Sequence, residues 1–199
     1  MPSLIPWTTR TYNRIAGVYD RVFDILFPLS IEGRKRVVRD LPEGTLLDVA
    51  CGTGILLDLA HKKGHTCTGI DLSDGMLRQA QKLNGELNLV RGSFYDLPFR
   101  EKAFTTVSST NAISGEGIDA MRVLGEMLRV ARGQLRVVDY VKPDEETNWN
   151  RFLMWLGRLI GDQPNDYPTL FKELGYQAHT EQICHPMYKY IQVDQHPQK

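Results

Sequence analysis

At 199 residues, with 42% hydrophobic and 24% charged side chains, the chain has the length and composition of one globular domain with a full core. Its 24 basic residues balance 24 acidic ones, so no net field points to nucleic acid or demands an anionic partner. The 3 cysteines, at positions 51, 67 and 184, lack metal-ligand spacing and fit a reducing compartment. No apolar run reaches the ~20 residues that span a bilayer, and the start lacks a signal-peptide pattern. A cytoplasmic protein is expected.

In chain order, residues 1–40 precede any strand pattern. Trp7 to Phe27 places Tyr12, Ile15, Tyr19, Val22, Phe23 and Leu26 at helical spacing. Pro28 interrupts that run, and a second helix is predicted from Ser30 through Val38. Pro42-Glu43-Gly44 then turns into Leu46-Leu47-Asp48-Val49-Ala50-Cys51-Gly52-Thr53-Gly54, a buried strand running into a tight loop. Gly52 and Gly54 allow a sharp turn and close approach of a ligand to the main chain. The N–H groups opening the helix Ile55 to Lys63 face the same place. Leu57 stands where a dinucleotide fingerprint needs its third glycine, and no Lys-Ser/Thr pair follows as in a P-loop. Asp48 instead sets a carboxylate beside the bend, which repels pyrophosphate and favours a cation. S-adenosylmethionine (SAM) carries two, an ammonium and a sulfonium. Cys51 reads as a small residue fitting the bend rather than a nucleophile.

The second strand, Thr66 to Ile70, ends in Asp71-Leu72-Ser73, and an acid there is placed to accept from ribose hydroxyls. At this point the chain resembles the class I SAM-dependent methyltransferases. Asp48-Val49-Ala50-Cys51-Gly52-Thr53-Gly54 and Gly69-Ile70-Asp71-Leu72-Ser73 with Met76-Leu77 carry the resemblance. Tyr12-Asn13, Ala16 and Tyr19-Asp20 resemble the start of ubiquinone/menaquinone C-methyltransferases. Tyr19-Asp20-Arg21-Val22-Phe23 and Gly33-Arg34 are similar to bacterial phospholipid N-methyltransferases. The resemblance implies a doubly wound, mostly parallel seven-stranded α/β sheet with its last strand antiparallel. It also implies a single domain, residues 1–199, with a helical lid over 1–40 and an α/β core over 44–199. SAM is the implied cofactor and S-adenosylhomocysteine the product. Asp48, Ala50, Cys51, Gly52, Gly54, Asp71 and Leu72 then belong to the cofactor site. Tyr12 and Tyr19 either close on SAM or the acceptor, or pack their helix on the sheet.

Further along, Ser73 is a plausible N-cap for a helix over Asp74 to Leu83. Met76 in its first turn contacts adenine by the family pattern, or fills a core gap. After the third strand, Leu87 to Arg91, Ser93 and Phe94 stand where relatives have Asp-Ala for the adenine amino group. Either Ser93 accepts that hydrogen bond, the Phe94 N–H alone reads the ring, or Asp96 swings in. Phe104 to Asn111 is the fourth strand, with Thr105 in place of the usual Asp. Asn111 at its exit is the polar contact expected for the methionine part of SAM or for the acceptor. A helix over Ile118 to Arg132 follows, then Gly133 as a break and a fifth strand over Gln134 to Val141. Asp139 and Tyr140 at its end are candidates for acceptor binding or proton removal, against local capping. Trp149 to Ile160 carries Phe152, Trp155, Leu156 and Leu159 in one stripe, expected to pack on the core rather than on a membrane. A short helix over Tyr167 to Leu174 and a hairpin, Ala178 to Cys184 and Tyr188 to Val193 with Pro186 between, close the chain.

Methyl transfer from a sulfonium is an in-line displacement that requires alignment, exclusion of water and, for some acceptors, proton removal. The reading is an enzyme that methylates a small, lipophilic acceptor without metal or fixed triad. It is a monomer or homodimer with at most peripheral membrane contact and no nucleic-acid partner. The alternative is a SAM- or S-adenosylhomocysteine-binding partner subunit without catalysis.

Overall fold

The computed structural model describes residues 9–19, 29–145, 147–183 and 185–195. Trp7, Asp20, Arg21, Val22, Phe23, Leu26, Pro28 and Cys184 lie outside the described residues. Helix α1 is Thr9–Ile15 and α2 is Leu29–Val38. The alternating core follows as β1 Thr45–Val49, α3 Ile55–His61, β2 Thr66–Asp71, α4 Asp74–Leu83 and β3 Asn88–Arg91. Then come β4 Phe104–Thr110, α5 Ala120–Val130, β5 Ala131–Tyr140, α6 Asn148–Ile160 and α7 Tyr167–Glu173. Strands β6 His179–Ile183 and β7 His185–Asp194 end the fold.

The sheet has 7 strands in the order β3-β2-β1-β4-β5-β7-β6. Neighbours are parallel except β7, which runs antiparallel to both β5 and β6. Chain order reverses beside β1, whose neighbours are β2 and β4, and the carboxyl ends of β1 and β4 open the crevice where such sheets bind ligands. Helices cover both faces. Val123, Leu124, Met127 and Val130 of α5 join Phe171 of α7 in one core cluster. Val37 and Val38 of α2 join Leu56, Leu57 and Ala60 of α3 in the other. Ser73 caps α4 as expected, its hydroxyl accepting from the Met76 N–H at 3.2 Å.

Three expectations are corrected. No break separates α5 from β5, which runs through Gly133. A Cβ there would lie 2.7 Å from the Thr105 carbonyl oxygen, beside the register shift between Phe104 and Thr106. Gly133 permits close backbone approach inside a strand rather than ending one. Pro186 lies within β7, ahead of Tyr188, where pairing with β5 begins, so its missing donor costs that ladder nothing. The apolar stripe of α6 faces outward, with Trp149 63%, Phe152 48%, Trp155 54% and Leu156 44% exposed.

Candidate functional site

The site begins where β1 stops. Ala50, Gly52 and Gly54 take left-handed φ values of 57°, 54° and 80°, and the Cys51 N–H donates to the Ile70 carbonyl at 3.0 Å. These torsions fold the loop against the end of β2. There Asp71 accepts from the Gly52 N–H at 2.9 Å and from the Ser73 N–H at 2.8 Å. Burial raises the Asp71 carboxyl above its usual range, against the lowering by those backbone donors. The two glycines differ: a Cβ on Gly52 would meet nothing within 4 Å, whereas one on Gly54 would lie 2.8 Å from the Ala80 Cβ. The bend therefore has open space beside Gly52 and packed protein behind Gly54. Cys51 is buried among core residues and its thiol is pushed up by that burial, so it is no nucleophile.

Asp48 lies under the bend, 1% exposed. Burial raises its carboxyl to about 7, opposed by the Ser108 hydroxyl, which donates at 2.8 Å, and by the charge of Arg34. Arg34 is itself buried on α2. That helix approaches the sheet closely because Gly33 has no Cβ to strike Val138.

From the other side, Asn13 ties α1 to α4. Its Oδ1 accepts from the Ser73 hydroxyl at 2.8 Å and the Gly75 N–H at 2.6 Å. Tyr12, next along α1, packs edge-on against Tyr19 with ring centroids 6.0 Å apart. Burial raises the Tyr12 phenol to about 12, helped by the charges of Asp162, Asp71 and Asp139. Tyr12 thus sits in the joint field of acids at the ends of β2 and β5.

Asp162 carries no sequence motif and was not foreseen; it follows Gly161, the C-cap of α6. Burial, then Asp139, raises its carboxyl to about 7, and its charge is felt by Tyr12, Tyr140 and Tyr188. Asn111 at the exit of β4 has a φ of 54°, and its Oδ1 accepts from the Tyr188 hydroxyl. Tyr188 and Ser108 were likewise missed, being lone polar residues without a motif, and Asn13 was read only as part of the Tyr12-Asn13 resemblance without its bonds to Ser73 and Gly75.

The remaining expected site residues are held as follows. Asp139 is turned inward, 1% exposed. It accepts from the N–H groups of Ile113, Ser114 and Tyr140 and the hydroxyls of Ser114 and Tyr167. With these donors on both oxygens, it anchors the loop after β4, the local capping role set against acceptor binding above. The Tyr140 hydroxyl donates to the Leu153 carbonyl at 3.2 Å and lies against Gly157, so it docks α6 instead of projecting to an acceptor. The Ser93 hydroxyl accepts from the Tyr95 N–H at 3.1 Å, and Phe94 stacks edge-on with Tyr95. Met76 is buried, whereas Leu72 is exposed beside Asp71. A separate cavity of about 260 Å³ lies among Lys142, Asp144, Asn165 and Lys189, away from the bend; Lys189 closes an ion pair with Asp144 there at 2.7 Å.

Residues 47–136, which span the bend, Asp71 and the crevice strands, match the family described as Methyltransferase domain. A demethylmenaquinone methyltransferase of Thermotoga maritima is 32% identical over 143 residues, covering 68% of this chain and 62% of that protein. Residues 47–136 thus carry a methyltransferase domain, and the chain is similar to the class I SAM-dependent methyltransferases. A second demethylmenaquinone methyltransferase, from Thermobifida fusca, is 28% identical over 185 residues, covering 80% of this chain and 78% of that one. Among solved structures, the DhpI complex with S-adenosylhomocysteine superposes with a TM-score of 0.70 at 20% identity, covering 96% of each chain. The chain thus spans less than two thirds of the Thermotoga relative's length. SAM is the cofactor of the methyltransferases this chain resembles, and the residues present fit it: a Cβ on Gly52 would meet nothing within 4 Å, Asp71 accepts from the Gly52 N–H at 2.9 Å, and buried Asp48 lies in the field of Asp71. Thr105, a departure from the family pattern, still supplies an acceptor, taking hydrogen bonds from the Thr45 N–H at 3.3 Å and Arg132 at 2.9 Å.

Proposed function

We propose that this chain transfers the methyl group of SAM to a small lipophilic acceptor of the quinol class, as the names of its demethylmenaquinone relatives suggest. The observation that carries the reading is the open bend at Gly52, whose N–H donates to Asp71, with Asp48 in the field of Asp71 and Asp162 sharing the field of Asp71 at Tyr12. SAM, when bound, supplies a sulfonium-activated methyl group. Gly52, Asp48 and Asp71 bind and orient the cationic donor, Asp71 through charge-assisted hydrogen bonds to ribose hydroxyls. Leu72, exposed beside it, offers an apolar face to the adenine. Asn111, with Ala50 and Cys51 on the bend, completes the donor side, and Phe94 with Ser93 closes the adenine end. Helix α1, pinned through Asn13, acts as a lid, with Tyr12 and Tyr19 excluding water. Asp162, poised at about 7, is placed to take a proton from an acceptor hydroxyl or its activated ring carbon. The buried thiols of Cys51 and Cys67 are not bonded to each other, which fits a reducing compartment.

The test is transfer of a labelled methyl group from SAM to a reduced demethylquinone, with Asp71→Ala and Asp162→Asn as companions. The expected outcome is turnover by the parent chain, weakened SAM binding in Asp71→Ala, and lost turnover with kept SAM binding in Asp162→Asn. SAM binding without turnover on any quinol or lipid-extract acceptor would overturn the reading in favour of a non-catalytic SAM-binding subunit.

A further inference from the structure

Helix α6 has an unusual surface. Its sequence, NWNRFLMWLGRLI, has two arginines and no acid, and Arg151 and Arg158 are both exposed. Trp149, Phe152 and Trp155 form a continuous stacked ladder in solvent, with successive centroids 5.7 and 5.9 Å apart and interplanar angles of 29°. Leu156 extends the strip, while Asn150 and Gly157 face inward. Helical geometry sets the arginines along one flank of the strip. Stacked aromatics lose little freedom on binding, and indole with guanidinium suits the boundary between acyl chains and headgroups.

Area separates a lipid from a second copy as occupant. Four side chains of this size at about half exposure present roughly 400–500 Å², more than a scattered surface residue yet well short of the ~800 Å² per partner of a stable dimer. Charge points the same way. The exposed face of the helix is positive, and the acids Asp144, Glu145 and Glu146 all precede its N-cap Thr147 in sequence, with Asp144 held by Lys189. Among the described residues no helix is long and apolar enough to cross a membrane, which leaves contact in the interface plane.

We propose that α6 is an interfacial helix that sets Trp149, Phe152, Trp155 and Leu156 into the headgroup region of an anionic bilayer, with Arg151 and Arg158 against lipid phosphates. The proposal builds on the lipophilic-acceptor reading. The inner side of the same helix meets Tyr140 at Leu153 and Gly157, and the chain leaving its C-cap supplies Asp162. An acceptor drawn from the bilayer would therefore reach the crevice past a single helix.

The test is flotation of the full chain with vesicles of phosphatidylcholine alone or mixed with phosphatidylglycerol, without SAM or acceptor. The parent chain is expected to float with the mixed vesicles, with a blue shift of its tryptophan emission. Phe152→Ser with Trp155→Ser should weaken partitioning at least roughly tenfold, and Arg151→Glu with Arg158→Glu should abolish the preference for the anionic lipid. Both variants should keep the parent's SAM affinity by calorimetry, since they touch no part of the bend. Absence of the parent chain from both vesicle types, or undiminished binding by the aromatic variant, would overturn the proposal. So would sedimentation showing a dimer that the aromatic variant dissolves, since a second copy would then be the occupant. Failed methyl transfer with vesicle binding intact would count against the reaction and leave the membrane helix standing.

Discussion

A Cβ on Gly52 would meet open space, and one on Gly54 would press on Ala80 and Leu87, so the same substitution at the two positions should separate function from folding. Gly52→Ala should cost about 1 kcal/mol of stability through its left-handed φ and weaken SAM binding by more than roughly tenfold, because the methyl occupies the ligand's side of the bend. Gly54→Ala carries the same left-handed cost and adds about 1–3 kcal/mol through overpacking. Urea unfolding and calorimetry on both variants check this; equal SAM affinity in parent and Gly52→Ala would contradict it. Asp48 gives a pH test. Its carboxyl moves from an ordinary 3.8 in the unfolded chain to about 7 in the fold, so the native state holds that proton more tightly. Stability from this group is full below about pH 4 and lost as pH rises through about 7. A cationic donor favours the carboxylate, so SAM affinity should rise across the same interval with release of a proton, and Asp48→Asn should flatten that dependence. The charges acting on Asp48 are those of Arg34 and Asp71, so Asp162→Asn should leave the Asp48 contribution to the slope in place. Asp48 and Gly52 were legible because their chemistry is written in consecutive residues around two glycines, and Asp71 because it ends the second strand in Gly69-Ile70-Asp71. Asp162 and Asn13 were not, since each reaches the site only through tertiary packing. Asp139 stayed open between acceptor binding and capping, because strand-end position reveals an acid's location and not the donors that the next loop brings to it.

The carboxyl end of α2 is held by a residue from the middle of the sheet. The Arg136 guanidinium donates to the carbonyls of Val37 at 2.6 Å, Arg39 at 2.7 Å and Asp40 at 2.8 Å, satisfying groups that a helix end leaves without intrahelical partners. Because α2 also carries Gly33 and Arg34 toward Asp48, this cap fixes one wall of the site. Arg136→Met should therefore cost about 2–4 kcal/mol in urea unfolding with an unchanged m-value; a loss below about 0.5 kcal/mol would show that water replaces the cap. Elements with local punctuation were readable, such as α4 behind Ser73. The border of α5 and β5 was not, because Gly133 reads as a breaker in sequence while Thr105 of a neighbouring strand explains it in space. Helix α6 shows the limit of periodicity: spacing reveals an apolar face but not what that face meets.

Across the whole molecule, alternating strands and helices imply the doubly wound layers, and the family resemblance extends them to seven strands with β7 reversed. The sheet order then places the ends of β1, β2 and β4 around one crevice, so the acids at positions 48 and 71 converge although a helix and a strand separate them in sequence. Balanced charge suits this arrangement, since its field is local to the crevice rather than spread over the surface. The most direct measurement is a crystal structure with S-adenosylhomocysteine bound. The account predicts the ribose hydroxyls within hydrogen-bond reach of Asp71 and the amino-acid end beside Gly52 above Asp48. Density for the ligand elsewhere, such as the cavity between Asp144 and Lys189, with the bend at Gly52 vacant, would contradict it.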